Sequence, residues 1–253
     1  MDKIKIAITS VGTDASSKEL VRQICEDPTM LELCIPCSAG NDADAQVLVP
    51  NGEPIKCPAD ATEIVVTEKT HFMPLAKEPT AADIIKLRDI LERDFDARNP
   101  RIAIVQESPM QNPDIASQVT ADQGINTYGP YTSEQVLSED FACHFDGIII
   151  PEGSRLVASL STGAPIRYFA GKDKVVTAVY SPIKTNDTAD GLADISELTH
   201  PIYTAIDIIR HRAFYDEALQ SPLPKLFRDK REDRKRDESS QASTNNDNTE
   251  KAS

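Results

Sequence analysis

A chain of 253 residues with 40% apolar content can bury one large core or two modest ones. Its 27 Lys and Arg against 41 Asp and Glu leave a formal charge of -14, which opposes phosphate backbones and argues against general nucleic-acid binding. No apolar run reaches the roughly 18 residues of a spanning helix, so no membrane association is expected.

The start Met1-Asp2-Lys3-Ile4-Lys5 leads into a strand rather than a signal peptide. With five cysteines, an odd number, the expectation is a cytoplasmic protein without a disulfide framework. Residues 4–9 form the first expected strand, and Ser16-Ser17-Lys18-Glu19 opens a helix with Leu20, Val21 and Ile24 on one face. A second strand is expected at 31–37, completing a β-α-β opening that favours a parallel sheet. That strand holds Cys34-Ile35-Pro36-Cys37, which has redox and zinc spacing but no second Cys-x-x-Cys to complete a tetrahedral site. A buried, reduced strand pair is the reading.

Residues 41–58 mix Gly, Asn, Asp and Pro and read as loop with one short strand at most. A strand follows at 63–67. Thr80, with Asp83 in the capping-box position, starts a helix whose apolar face is Ile84, Leu87, Ile90, Leu91 and Phe95. Asn99-Pro100 stops it, and 101–106 is a buried strand by its β-branched content. Short helices are expected at 115–122 and 133–139, and strands at 147–150 and 174–180. A last helix, about 200–219, places Ile202, Ile206, Ile209 and Ala213 on one stripe.

From Arg228 the chain carries seven basic and seven acidic residues and then Ser, Asn, Thr and Gln, with nothing apolar and large enough to anchor it. The expected organisation is an α/β body over 1–227 and a disordered tail over 228–253. The basic run 228–236 is interleaved with Asp229, Glu232 and Asp233 and reads as a solvated segment. Strands alternating with helices give an α/β layered fold with a mostly parallel sheet and flanking helices.

Two segments carry a family resemblance. One runs from Thr70-His71-Phe72-Met73-Pro74-Leu75 through the helix at 83–95 to Asn99-Pro100-Arg101-Ile102-Ala103-Ile104-Val105. The other runs from Tyr128-Gly129-Pro130-Tyr131 to Asp146-Gly147-Ile148-Ile149-Ile150. Together with Asp27-Pro28-Thr29-Met30-Leu31-Glu32-Leu33-Cys34, the chain resembles the 4-hydroxythreonine-4-phosphate dehydrogenases, which use NAD and a divalent metal in pyridoxal phosphate synthesis. The resemblance implies a reduced version of the isocitrate and isopropylmalate dehydrogenase-like fold, with an internal deletion near 50–65. It also implies a homodimer, because the family pairs its subunits through the sheet-bearing body.

The family's metal is held by three histidines. One lies in a Gly-His-Thr-Glu segment within the portion missing here. His71 resembles the second, in a Thr-x-His-x-Pro-Leu motif, with one inserted residue. Gly153 and Ser154 fall where the family has the third histidine and the aspartate of His-Asp-Gln-Gly. At the substrate end, Val175 replaces an asparagine and Lys184 an arginine, which keeps the charge but not the planar fork. The Asp-His-Gly step survives only as Ala189-Asp190-Gly191. The first strand-to-helix turn, Val11-Gly12-Thr13-Asp14-Ala15-Ser16-Ser17-Lys18-Glu19, keeps only Glu19 of the glycine-rich loop.

The resemblance therefore leaves His71 as a lone metal-ligand candidate, and Lys184 and Thr185 as residues for a small phosphorylated ligand. A single imidazole does not hold a divalent ion specifically. No cofactor is expected on this reading, which makes the chain a catalytically impaired binding or interaction protein. The alternative is a working dehydrogenase with NAD and a divalent metal. Glu107 and Glu152 open loops after strands, where α/β proteins place functional groups. His144 and His200 read as surface or helix-boundary residues.

Overall fold

The computed structural model describes residues 3–11, 22–37, 42–50, 55–107, 112–138, 141–160, 165–171, 174–179 and 196–221. One compact unit covers Met1–Tyr215, and a second covers Asp216–Ser253. The tail expected over 228–253 lies outside the described residues, as do the first turn after residue 11 and residues 51–54 of the expected deletion region.

Ten strands form one sheet. They are β1 (Ile4–Val11), β2 (Cys34–Cys37), β3 (Ala45–Pro50), β4 (Thr62–Val66), β5 (His71–Leu75), β6 (Ile102–Gln106), β7 (Thr127–Thr132), β8 (Gly147–Pro151), β9 (Ile166–Ala170) and β10 (Val175–Val179). Their order is β2-β1-β3-β10-β9-β4-β5-β8-β6-β7. The first four and the last four each run parallel among themselves. Between the two blocks β9 is antiparallel to both β10 and β4, and β4 is antiparallel to β5. The blocks therefore point in opposite directions.

Helices cover both faces, and strand alternation decides which residue meets which layer. Ile102, Ile104 and Ile149 join one core with Ile84, Leu87, Ile90 and Leu91 of α2 (Ala81–Asp94) and with Leu198, Ile202, Ala205, Ile206 and Ile208 of α6 (Ser196–Gln220). Ala103, Val105, Ile148 and Ile150 point the other way, into a second core. There they meet Val136 of α4 (Ser133–Leu137) and Leu156 and Val157 of α5 (Leu156–Leu160). The Thr80–Asp83 capping box forms as read from sequence. A second one, Thr132 with Gln135, starts α4.

Several expectations change. The segment expected as a strand from 31 begins as helix α1 (Pro28–Leu33), since Asp27 accepts the Thr29 N–H at 2.7 Å and Pro28 suits the first helical turn. Strands β5, β7 and β9 lacked a recognisable pattern, and two of them contain proline. Pro74 is tolerated because β4 pairs only with His71 and Phe72, so β5 has a single neighbour at that level. Ala213 is exposed rather than on the core stripe of α6, because the inward positions there belong to the polar His211 and Arg212. Helix α3 (Ile115–Gln123) ends on Gly124 in the left-handed region, at φ 67°.

Two glycines mark close approaches. A Cβ on Gly147 would fall 2.7 Å from Leu91 Cδ1, so its absence lets α2 lie against the start of β8. At Gly129, φ is 112° and a Cβ would sit 2.7 Å from the Ile104 carbonyl oxygen.

Candidate functional site

The carboxyl ends of β5, β8 and β6 meet at one edge of the sheet, where open α/β sheets place their ligands. A cleft of about 210 Å³ lies there. Val105, Ile149, Ile150 and Leu75 form its apolar floor, and Lys77, Glu78 and Glu107 stand around it. Glu107 also accepts the Ser133 hydroxyl at 3.3 Å, which ties the cleft to the start of α4. A wider groove of about 650 Å³ shares Lys77 and Glu78 and continues along α3 past Asn112, Gln118 and Asp122.

Lys77 has a particular place in this geometry. Leu75 pairs with Pro151, and the Glu152 N–H donates to the Leu75 carbonyl at 2.9 Å. Counting two residues on from the Leu75–Pro151 pair reaches Lys77 on one strand and Gly153 on the other. Gly153 is the position matched to a family histidine, and it has no side chain to offer. The cleft's own cation is the Lys77 ammonium, two residues beyond the end of β5, and nothing in the sequence pointed to it while β5 went unrecognised.

His71 sits at the opposite end of β5, paired with Gly147. With a rise of about 3.3 Å per residue, the length of β8 separates it from Gly153 by on the order of 15 Å, too far for one ion. The structure brings His71 instead to Asp146 and Phe95. Its Nδ1 donates to the Asp146 carbonyl at 3.0 Å, and its ring lies against Phe95 with centroids 4.1 Å apart. Among the described residues no group of three or more His, Cys, Asp or Glu side chains is placed to hold a metal ion. The described side chains around His71 and Gly153 do not form a three-histidine centre. Lys184 and Thr185, which follow β10 in sequence, lie outside the described residues.

Burial lowers the His71 pKa below its ordinary value, although the Asp146 carbonyl and carboxylate pull the other way. The folded state therefore holds the imidazole neutral while the unfolded chain takes up a proton below about pH 6.5. Stability from this group is complete above that pH and falls as the pH drops toward the folded pKa, by at most about 1.4 kcal/mol per pH unit for one proton. His71→Phe keeps a ring beside Phe95 and removes the titration. Urea unfolding from pH 7 to 5 is expected to show a shallower decline in the variant, and identical declines would exclude His71 as the source.

Beyond Phe95 lies a buried ionic cluster. Asp94, fully buried at the end of α2, accepts from Arg93 Nε at 2.7 Å, Arg212 Nε at 2.8 Å and the Tyr168 hydroxyl at 2.6 Å. Arg212 also donates to the Tyr168 oxygen at 2.7 Å and to the Gly171 carbonyl at 3.1 Å, and His211 Nδ1 donates to the Asp94 carbonyl at 3.1 Å. The cluster joins α2, β9 and α6 through these hydrogen bonds.

Of the other sequence candidates, Glu152 is exposed beside the cleft strands, and His144 and His200 are exposed as expected. Cys34 is buried and Cys37 partly so, both are free, and burial raises the Cys34 pKa, which keeps the thiol protonated.

The comparisons with known proteins agree with this architecture. No family model matches the chain. A curated 4-hydroxythreonine-4-phosphate dehydrogenase from Bacteroides thetaiotaomicron is 28% identical over 174 residues, 63% of this chain and 48% of its own length. Over that stretch the chain is similar to a 4-hydroxythreonine-4-phosphate dehydrogenase. It spans about half the length of that curated relative. A structure from Salmonella typhimurium assigned to the same dehydrogenases superposes with a TM-score of 0.59 at 12% identity, covering 82% of this chain and 100% of the other. An isocitrate dehydrogenase from Methylococcus capsulatus gives 0.53 at 11% identity, covering 83% and 87%. These two likenesses establish the isocitrate dehydrogenase-like α/β fold. No described helix is long and apolar enough to cross a membrane.

Proposed function

We propose that this chain is a catalytically impaired relative of the 4-hydroxythreonine-4-phosphate dehydrogenases that binds a small charged molecule instead of oxidising one. The observation that carries the reading is the separation of His71 from Gly153 at opposite ends of β5 and β8. A dehydrogenase of this kind uses its metal to polarise the reacting hydroxyl, and here the positions that would supply imidazoles hold a glycine and a histidine turned to the Asp146 carbonyl.

What the cleft offers is an ammonium from Lys77, carboxylates from Glu78 and Glu107, and an apolar floor. Such a site recognises a small ligand bearing both charges. Lys184 and Thr185 are proposed to contribute to an anionic, phosphorylated end of the ligand. We further propose a cytoplasmic homodimer, in keeping with the family.

Two measurements on the full chain test this. Titration calorimetry with zinc or magnesium is expected to show no micromolar site, and NADH formation from 4-hydroxythreonine 4-phosphate is expected to stay at background. Stoichiometric metal binding, or steady turnover lost in Lys184→Ala, would establish the alternative, an active NAD-dependent dehydrogenase.

A further inference from the structure

The buried cluster around Asp94 is not electrically closed. Two guanidinium groups, Arg93 and Arg212, share the single Asp94 carboxylate, and the third partner, Tyr168, is an uncharged donor. One positive charge is left over. Arg212 spends its Nε and Nη2 on Asp94, the Tyr168 oxygen and the Gly171 carbonyl. Arg93 spends the same two nitrogens on Asp94 and Gly171, and among the described residues nothing accepts from its Nη1. A guanidinium Nη carries two N–H donors, so Arg93 has donors to spare.

Arg93 keeps 31% of its side chain exposed, and it lines a groove of about 530 Å³ between α2, the end of β9 and α6. Lys86, Asp89, Ile90 and Arg93 recur every three or four residues along α2 and make one wall, which Asp60 and Tyr215 help to close. The other charges of the lining offset one another. Asp89 accepts from Arg88 Nε at 2.8 Å, and Lys86 and Asp60 are of opposite sign. Lys86 stands two helical turns before Arg93, about 10 Å along the axis, so a group held at Arg93 meets the one uncompensated positive charge. Ile90 and the Tyr215 ring supply apolar surface beside it. Gly171 leaves its side of the groove unfilled, because a Cβ added there would meet nothing within 4 Å.

We propose that this groove is a second ligand site, separate from the cleft at β5, β8 and β6, and that it takes a small monocarboxylate with an apolar or aromatic body. The carboxylate accepts from Arg93 Nη1 in a charge-assisted hydrogen bond and supplies the anion that the two guanidiniums lack. A single negative charge matches the single positive one, whereas a phosphate dianion exceeds it and is opposed by Asp60 and Asp89. The body of the ligand covers Ile90 and Tyr215, the usual division of such sites into apolar walls and a few placed polar groups.

Titration calorimetry of the full chain with 3-phenylpropionate tests the site. One binding event with a dissociation constant below about 1 mM is expected. The neutral 3-phenylpropionamide keeps the shape without the charge and is expected to bind at least about tenfold more weakly. Arg93→Gln removes the spare guanidinium nitrogen and is expected to weaken 3-phenylpropionate by at least about tenfold as well. Arg93 also serves Asp94, so Gly171→Leu provides an independent arm: it fills the groove, leaves every charge in place, and is expected to abolish binding while retaining the parent's circular dichroism. Lys77→Gln, in the other cleft, is expected to leave the affinity within about twofold. No binding by the wild type at about 10 mM ligand, equal affinity for the amide, or undiminished binding in Arg93→Gln or in Gly171→Leu would overturn the proposal. So would binding that is lost in Lys77→Gln, which would place the carboxylate in the first cleft.

Discussion

Replacing Asp94 with alanine is expected to cost about 3–5 kcal/mol of folding stability, the range for breaking a buried ion pair by removing one partner. The carboxylate is fully buried and serves two guanidinium groups and a phenol together. Without it Arg93 and Arg212, which are largely withdrawn from solvent, face each other with no anion between them. Burial by itself would raise the Asp94 pKa, but hydrogen bonds from Arg93, Arg212 and Tyr168 outweigh it and hold the pKa below the usual carboxylate value. The same burial, with the Asp94 charge beside it, drives the Tyr168 phenol upward and keeps it a donor.

Because the folded pKa is depressed, the contribution of Asp94 is fully present above about pH 4 and is lost only as the pH falls through the folded value. Acid sensitivity should therefore arrive in two stages, His71 first and Asp94 later. Urea unfolding at pH 7 measures the first effect. A loss below about 1 kcal/mol for Asp94→Ala would show that the cluster holds α6 far less firmly than its geometry suggests.

Ile206→Asp is expected to leave the body unfolded under ordinary conditions. Ile206 is 2% exposed and packs in the larger core with Ile202, Ala205 and Ile208 against the sheet. The substitution forfeits roughly 1.5–3 kcal/mol of apolar burial and forces a carboxylate into a site without a cation, adding several kcal/mol more. Together these approach the 5–15 kcal/mol by which most domains are stable. A cooperative thermal transition near that of the parent would show that α6 can detach without unfolding the sheet. The exposed Asp207, one residue on, provides the control: Asp207→Ala should change the melting temperature little.

Residue pattern alone reached most of the helical layer and the central strands. The Thr80–Asp83 capping box and the 3.6-residue spacing of Ile84, Leu87 and Leu91 define α2, and the β-branched runs at 102–105 and 148–150 define β6 and β8, because these signals are local. Strands β5, β7 and β9 escaped because their stability comes from neighbours. Pro74 and the Gly129-Pro130 step are poor strand formers that the flanking strands hold in place.

The candidate site divides along the same line. The sequence by itself determined the α/β class, the capped and amphipathic helices, the absence of a histidine at Gly153, and the family likeness carried by residues 70–106 and 128–150. Only the tertiary structure decided that His71 and Gly153 lie at opposite ends of adjacent parallel strands, and that Lys77 and Glu107 share one cleft. It likewise decided that Asp94, Tyr168 and Arg212, separated by more than forty residues at each step, form one buried cluster. Strand register and crossover order set these distances through long-range pairing, and no spacing within a single segment encodes them.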